Sequence, residues 1–446
     1  MSVEQFGYED QLDRALSLGD LIVYGMIFMV PIAPFSVFGF VWQDSQGMVV
    51  LAYLIGLVGM LFTALSYAAM SRAFPLAGSV YAYVQRGLHE AAGFLAGWLI
   101  LLDYILIPAL LYLFSAAALQ PLLPQVPSWL WLSAFVVFNA AANLFGVRVT
   151  ARLYKILLAL ELLVLAWFVV VGARALYGGQ GAGGLTLAPF YDAHSFSLAT
   201  MAGATSIAVL SFLGFDGIST LSEESTGARN AIARATVASL LLIGALFVLQ
   251  TWIAADLARG ARFSSAETAF YEIAARAGGK GLGLAAMLAV VISFGIANAM
   301  AAQAAVSRVL FAMARDRKLP GVLAAVHPRF KTPYVSTLLV AGISLLVGLS
   351  FARRIDDLTR VVNFGALTSF ALLHLAVIHH YFFRQRTGAW VLHLVCPLAG
   401  LGVILYVLCG MDHTAKILGG CWIAAGVVYQ LIKAMTTPTS AVSGRP

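Results

Sequence analysis

The apolar residues of this chain form long, nearly uninterrupted runs that are separated by short polar segments. A run of about 20 apolar residues has the length of a helix that crosses the hydrocarbon core of a bilayer. The pattern therefore predicts an all-helical (all-α) membrane protein with twelve transmembrane helices. The predicted spans are Leu18–Val41, Met48–Met70, Ala91–Ala118, Trp129–Phe145, Ala151–Ala175, Leu198–Leu221, Ala231–Ala255, Gly281–Met313, Val335–Phe351, Leu358–Phe383, Val391–Cys409 and Lys416–Met435.

Composition supports a single transmembrane domain over residues 1–446 and excludes a soluble globular class. Of the 446 residues, 61% are hydrophobic and only 11% are charged. Loops that face anionic lipid account for the net charge of +7, so the lipid bilayer, and not nucleic acid, is the expected partner. The three cysteines are too few for a disulfide framework. We find no motif for an enzyme nucleophile, a metal ion or a cofactor.

The charges of the loops predict how the chain is oriented in the membrane. The N-terminal residues are mainly acidic, and no basic segment precedes the first apolar run, so we expect no cleaved signal peptide. If this end is cytoplasmic, the inner loops and tails hold about two thirds of the lysine and arginine residues, as the positive-inside rule requires. Both termini are therefore expected in the cytoplasm.

Two prolines interrupt the first predicted span. Pro31 and Pro34 lie in its middle, and a proline inside a helix removes a backbone donor and crowds the preceding turn. We therefore expect this helix to break around Val30–Ser36.

An aspartate at membrane depth marks the sixth span. Asp216 lies between Gly214 and Gly217 in the segment Ser211–Leu221, where a charge costs about 3 kcal/mol on insertion scales. Glycine lets the backbone leave helical geometry, and unwound backbone at this depth persists only where it lines a cavity or is buried in protein. Asp216 either caps a broken helix and pairs with a neighbouring helix, or belongs to a substrate or ion site.

The two interrupted spans are five spans apart. Interrupted helices at matching places in two halves are typical of inverted-repeat transporters that bind substrate at the membrane midplane. We expect residues 18–175 and 198–383 to form the two repeats, and residues 391–435 to add helices 11 and 12.

Two further carboxylates lie in apolar sequence. Asp103 stands beside Tyr104 in the third span, and Glu161 lies in the fifth. Such residues face the interior of a helix bundle, whether they form structural pairs or a functional site.

The sixth-span sequence Ser211–Asp216 continues through Ser219–Thr226. Four other segments accompany it, namely Phe62–Tyr67, Leu101–Pro108, Ala304–Met313 and Asn363–Leu367. Together they resemble the amino acid, polyamine and organocation (APC) transporter superfamily, and in particular bacterial putrescine importers. The resemblance covers almost the whole chain. It implies a five-plus-five inverted repeat of the LeuT-like type, secondary transport and a location in the bacterial cytoplasmic (inner) membrane.

The chain departs from the superfamily at the first break. In amino-acid transporters of the superfamily, small residues there typically offer free amides to the substrate carboxylate, whereas Pro31 and Pro34 have no amide hydrogen. The departure favours a substrate that is recognised through an amine, because unwound carbonyls and the carboxylates of Asp216 and Asp103 are matching acceptors. The predicted substrate-binding residues are Val30, Pro31, Ile32, Ala33, Phe35, Ser36, Asp103, Tyr104, Leu210, Ser211, Gly214, Phe215, Asp216 and Gly217.

The resemblance also implies a role for Glu161. Proton-coupled relatives place a lysine in the fifth helix where sodium-coupled relatives hold an ion, and this chain has Glu161 there. An apolar setting disfavours the charged form of a carboxyl group, which is the property that a proton-coupling group needs. We expect Glu161 to couple transport to protons, with sodium coupling as the alternative.

We interpret the chain as a proton-coupled importer (a symporter) of a small amine such as putrescine. We expect it to work by alternating access. The main rival is an amino-acid permease or amino acid/amine exchanger that binds a carboxylate at the remaining first-helix amides of Phe35 and Ser36. A channel is disfavoured by the paired breaks and by the lack of a charged ring. An intramembrane enzyme is disfavoured because the sequence shows no nucleophile and base pair and no metal constellation.

Overall fold

A computed structural model of the chain describes residues 16–74, 79–145, 151–221, 230–315, 319–330 and 332–436. The acidic N-terminal residues and the Ser222–Thr226 part of the sixth-span motif lie outside the described residues. Within the described ranges the protein is all-helical. The α-helices are α1 (Leu18–Met29), α2 (Pro34–Asp44), α3 (Val49–Ala73), α4 (Ser79–Gly87), α5 (Glu90–Leu119), α6 (Ser128–Leu144), α7 (Ala151–Tyr177), α8 (Leu198–Ala208), α9 (Ala231–Ala258), α10 (Ala269–Ile292), α11 (Ala299–Arg315), α12 (Tyr334–Phe351), α13 (Ile355–Val377), α14 (Cys396–Gly410) and α15 (His413–Thr436).

The lengths of these helices match a multi-pass membrane protein. In the described part of the chain, 10 helical stretches are long and apolar enough to cross a membrane, and the bent pair α1 and α2 would form an eleventh span. The predicted fourth span corresponds to α6, a shorter apolar helix of 17 residues. The membrane class predicted from the sequence is confirmed, while the count of twelve stays a prediction.

The first predicted span consists of two helices. α1 ends at Met29, α2 begins at Pro34, and the two are bent by 54°. The helical geometry resumes earlier than the predicted interruption of residues 30–36, because a proline is well tolerated in the first turn of a helix, where its missing N–H has no helical partner. Between them, Val30 has a φ of 52°. This left-handed conformation strains a β-branched residue, typically by about 1–3 kcal/mol.

The sixth predicted span changes geometry over a few residues. α8 is followed by a 3₁₀ helix, Val209–Phe212, and Leu213 is extended, with ψ at 144°. Gly214 has a φ of 109°, which an L side chain rarely adopts. A second 3₁₀ helix, Phe215–Leu221, then carries Asp216. Of the two glycines predicted to flank an unwound segment, Gly214 has the unusual backbone, whereas Gly217 lies within the 3₁₀ helix.

The interrupted segments share two neighbouring helices. α3 packs along α9, and this pair contacts α1, α2, α8 and the 3₁₀ helix Val209–Phe212. α5 packs against α13 and contacts α11 and α12 as well. Each interruption is thereby enclosed by continuous helices, as unwound backbone at membrane depth requires.

Ion pairs hold both ends of the first broken span. Near the start of α1, Asp20 Oδ1 lies 2.8 Å from Lys155 Nζ of α7. At the end of α2, Asp44 Oδ2 lies 2.6 Å from Arg360 Nη2 of α13. Asp412, in the turn before α15, is a second and more distant partner of Arg360, with 4.0 Å between Oδ1 and Nε. Each half of the span is therefore tied to a different neighbouring helix.

Candidate functional site

The carboxylate of Asp216 is buried and bonded to a side chain of α5. Asp216 is 2% exposed, and the hydroxyl of Tyr104 donates a 2.7 Å hydrogen bond to its Oδ2. Asp103, which directly precedes Tyr104 in α5, is 4% exposed. Its Oδ1 accepts no hydrogen bond from any residue that the structure describes. The site therefore combines two carboxylates and one phenol.

The two broken spans meet beside this carboxylate. A Cβ atom added at Gly214 would lie 2.8 Å from the carbonyl oxygen of Phe28, and one added at Gly217 would lie 3.3 Å from the Phe28 ring. Phe28 belongs to the last turn of α1, where carbonyl groups lack their usual helical donors and the helix dipole is negative. The partial negative charge at the end of α1 and the carboxylate of Asp216 therefore lie in one region.

Aromatic rings surround the residue that precedes Asp216. The ring centroid of Tyr67, on α3, lies 5.7 Å from that of Phe215 and 5.8 Å from that of Phe370 on α13. Phe215 and Phe370 are themselves 5.7 Å apart. These contacts anchor the second 3₁₀ helix, which carries Asp216, to α3 and α13.

Three backbone amides of the first break are already bonded. The amide of Ala33 donates to Val30, that of Phe35 to Ile32 and that of Ser36 to Ala33, at N···O distances of 2.9, 3.0 and 3.2 Å. The ring of Phe35 faces a different helix and stacks on Phe270 with 3.9 Å between centroids. This geometry weakens the alternative in which the amides of Phe35 and Ser36 hold a substrate carboxylate.

Two other predicted residues of the sixth span lie in its first 3₁₀ helix. Leu210 is partly buried in the first 3₁₀ helix, and its carbonyl accepts from Leu213. The hydroxyl of Ser211 lies 3.0 Å from that of Tyr53 on α3. Val30, Pro31, Ile32 and Ala33 are all buried. The structure therefore brings Asp103, Tyr104, Gly214 and Asp216 together at one junction, whereas the ring of Phe35 packs on Phe270 of α10.

Glu161 lies on α7 with a partner of its own. It is 7% exposed, and the hydroxyl of Ser293 donates a short hydrogen bond to its Oε1. Ser293 begins a π-helical segment, Ser293–Asn298, which joins α10 to α11. Such π segments often occur at functional sites. Within the described residues, Glu161 Oε2 accepts no hydrogen bond and no ion pair includes Glu161.

Sequence reasoning missed four polar residues that contact these sites. They are Tyr53 and Tyr67 on α3, Gln250 on α9 and Ser293. Tyr67 belongs to one of the segments that resemble the superfamily. Gln250 is a polar residue within an apolar span, which is the same feature that marked the three carboxylates as candidates. The three-dimensional partners of these residues could not be assigned from their spacing.

The chemistry of the junction suits a cationic group. Carboxylates, a phenol and helix-terminal carbonyls are hydrogen-bond acceptors that an ammonium group satisfies. Among the described residues, no group of three or more histidine, cysteine, aspartate or glutamate side chains could hold a metal ion.

Comparison with known proteins identifies the family. The profile described as "Amino acid permease" matches residues 20–411. The chain is 32% identical over 429 residues to the low-affinity putrescine importer PlaP of Escherichia coli (strain K12), covering 94% of this chain and 93% of that protein. It is 26% identical over 462 residues to the branched-chain amino acid permease BcaP of Bacillus subtilis (strain 168), covering 95% and 94%.

A third relative is the methylthioribose transporter of Bacillus subtilis (strain 168), which is 24% identical over 448 residues and covers 94% of this chain and 93% of the relative. All three relatives are named as importers, permeases or transporters, and none as an enzyme. The chain therefore belongs to the amino acid permease family of the APC superfamily and is a transporter.

Proposed function

We propose that this protein is a secondary active importer of small organic amines with two cationic ends, of which putrescine is the type. The observation that carries the proposal is the hydrogen bond from Tyr104 to the buried carboxylate of Asp216, at the point where the two interrupted spans touch. A buried, hydrogen-bonded carboxylate is a strong acceptor for an ammonium group. The name of the relative PlaP, a putrescine importer, supports the same substrate class.

The second carboxylate favours a diamine over an amino acid. Two neighbouring carboxylates repel each other when both are charged, and Asp103 directly precedes Tyr104, the residue that bonds to Asp216. A dication offsets both charges, whereas a zwitterionic amino acid adds a carboxylate of its own to the same region. The amides of Ala33, Phe35 and Ser36 already donate hydrogen bonds within the break, so few donors are left for that carboxylate.

The ends of the interrupted helices also favour a positively charged substrate. α1 ends next to Gly214, so the negative end of its dipole faces the junction. α2 begins with Pro34, which offers no N–H at the positive end. The helix termini therefore favour a cation over an anion at this point.

Glu161 is proposed as the proton-coupling group. It is buried, and the hydroxyl of Ser293 holds one of its carboxylate oxygens while the other accepts no hydrogen bond within the described residues. A carboxyl group with one fixed and one open oxygen can gain or lose a proton without the loss of its anchor. Import then proceeds by alternating access in the bacterial inner membrane, with both termini in the cytoplasm and with two inverted repeats over residues 18–175 and 198–383.

The test is uptake of labelled putrescine by protein that is reconstituted in lipid vesicles. An imposed pH gradient, acidic outside, should drive saturable accumulation that a protonophore abolishes. Accumulation that follows a sodium gradient instead would indicate sodium coupling. Flux that does not saturate would indicate a channel. The name of the relative BcaP supports the alternative of an amino-acid permease, for which accumulation of labelled leucine, and not of putrescine, is expected.

A further inference from the structure

Each interrupted segment is bonded to one buried polar side chain of the helix pair α3 and α9. On α9, the side-chain amide of Gln250 donates to the carbonyl oxygen of Pro31 at 2.9 Å. On α3, the hydroxyl of Tyr53 lies 3.0 Å from that of Ser211. Gln250 and Tyr53 are both 0% exposed. Neither residue contributes a charge to the junction at Asp216, so their contacts have a different role.

The carbonyl of Pro31 needs a donor because of the break. In a continuous α-helix it would accept from the amide of Phe35, but that amide donates to Ile32 at 3.0 Å. Pro34, the next residue that could reach it, has no N–H. A buried carbonyl without a donor is costly. Gln250 supplies that donor.

The orientation of Gln250 is fixed by its second hydrogen. An amide group carries two N–H donors, and the same nitrogen also donates to the carbonyl of Leu246, one turn earlier on α9, at 3.0 Å. Both hydrogens are therefore used, one within α9 and one across to the first break. The position of the Pro31 carbonyl is thereby tied to α9.

One group of aromatic rings connects the two contacts. The Tyr53 ring packs 5.7 Å from Phe247 on α9 and 6.0 Å from Phe212 in the sixth span, and the rings of Phe212 and Phe247 are 5.1 Å apart. Phe247 precedes Gln250 by three residues and lies on the same side of α9. The Tyr53 contact therefore lies within this packed group, and the Gln250 contact adjoins it along α9.

We propose that Gln250 and Tyr53 are positioning residues that hold the two interrupted segments in the mutual arrangement that binds substrate. Gln250 acts through the Pro31 carbonyl, and Tyr53 acts through Ser211. The inference rests on the proposed transport function. When either contact is lost, the segments sample other arrangements, and the apparent dissociation constant rises in inverse proportion to the fraction of molecules that remain competent to bind.

The test compares transport kinetics of variants in vesicles. Gln250→Met keeps a similar unbranched shape without the donor, and Tyr53→Phe removes only the hydroxyl. Each should raise KM about five-fold or more while Vmax changes less. Thr251→Val is the matched control on α9, because among the described residues the Thr251 hydroxyl donates only to carbonyls of its own helix. Tyr112→Phe is the matched control for a buried tyrosine, whose hydroxyl donates to Gln303.

A double-variant cycle separates positioning from general stability. Because the two contacts share one packed group, the KM of the double variant Gln250→Met with Tyr53→Phe should differ by about two-fold or more from the product of the single effects. Unchanged KM in both single variants, or a KM change equal to that of the controls, would overturn the proposal. So would lower thermal stability in detergent with normal KM.

The assay uses labelled putrescine and, in parallel, labelled leucine. If the wild-type protein accumulates leucine and not putrescine, the proposed substrate class is wrong, and the variants are compared with leucine, because positioning of the breaks does not depend on which of these is carried. The failure of the substrate assignment and that of the positioning role therefore give different results.

Discussion

The hydroxyl of Tyr104 donates a 2.7 Å hydrogen bond to Oδ2 of Asp216. The two residues are 112 positions apart in the sequence, and the bond joins the continuous helix α5 to the second 3₁₀ helix of the sixth span. It fixes one oxygen of a buried carboxylate between two glycines that lie against the last turn of α1. The first prediction concerns the charge of that carboxylate.

Asp216→Asn keeps the shape of the side chain and removes its charge. If the carboxylate binds an ammonium group, uptake of labelled putrescine should fall by about 30-fold or more, since the loss of one partner of a buried charge pair costs about 2–5 kcal/mol. Asp192→Asn is the control, because Asp192 bonds to His194 in a segment outside the helices. Normal uptake with unchanged KM by Asp216→Asn would leave the charge with a structural role at most.

Competition between unlabelled compounds and labelled putrescine tests which class of substrate the protein carries. Diamines should inhibit uptake of labelled putrescine more strongly than ornithine does, because ornithine carries a carboxylate and the amides of Ala33, Phe35 and Ser36 are already used. The measurement is the inhibition constant of each compound in the same vesicles. Equal or stronger inhibition by ornithine would favour the amino-acid permease.

Glu161→Gln mimics the protonated carboxyl group and cannot release a proton. Accumulation that is driven by a pH gradient should be lost, whereas equilibrium exchange of substrate should continue, since exchange needs no net proton movement. Glu272→Gln is a matched control, because Glu272 bonds to Ser264 and Thr268 outside the predicted coupling site. Gradient-driven accumulation that persists in Glu161→Gln, and that still collapses with a protonophore, would remove Glu161 from the coupling mechanism.

Gly214→Ala tests the break of the sixth span. The φ of 109° strains any L side chain, and the added Cβ would lie 2.8 Å from the backbone carbonyl of Phe28. The variant should lose about 1–3 kcal/mol of stability. Gly402→Ala, within α14, is the matched control, because nothing lies within 4 Å of its added Cβ, and it should gain about 0.5–1 kcal/mol. Thermal unfolding in detergent measures both, and equal melting temperatures would contradict the assigned strain.

The interruptions could be predicted from the sequence because proline and glycine act on their own backbone. Pro34 lies in the first turn of α2, and Gly214 has the positive φ. The predicted limits of the first break included Phe35 and Ser36, which are helical. A proline that disrupts the middle of a helix also suits the start of one, and local sequence does not distinguish the two positions.

The partners of the site residues could not be predicted in the same way. Tyr53 and Ser211 are 158 positions apart, and Gln250 and Pro31 are 219 apart. Periodicity identifies which residues share a helix but does not define which helices pack together. The left-handed Val30 was also unforeseen, because a β-branched residue disfavours that conformation and only the surrounding tertiary contacts can hold it there.

The ion pairs of Asp20 with Lys155 and of Asp44 with Arg360 give the transport cycle an expected dependence on ionic strength. Both pairs are formed at once, and both are partly exposed to solvent. If access opens alternately at the two ends of the first span, each half of the cycle must separate one pair. Salt screens exposed charges over about 10 Å at 0.1 M, so added salt should lower the barrier to opening. The rate of substrate exchange should therefore rise with salt, beyond any effect on affinity, and more weakly in Asp44→Asn, in which the pair at the end of α2 has lost its charge.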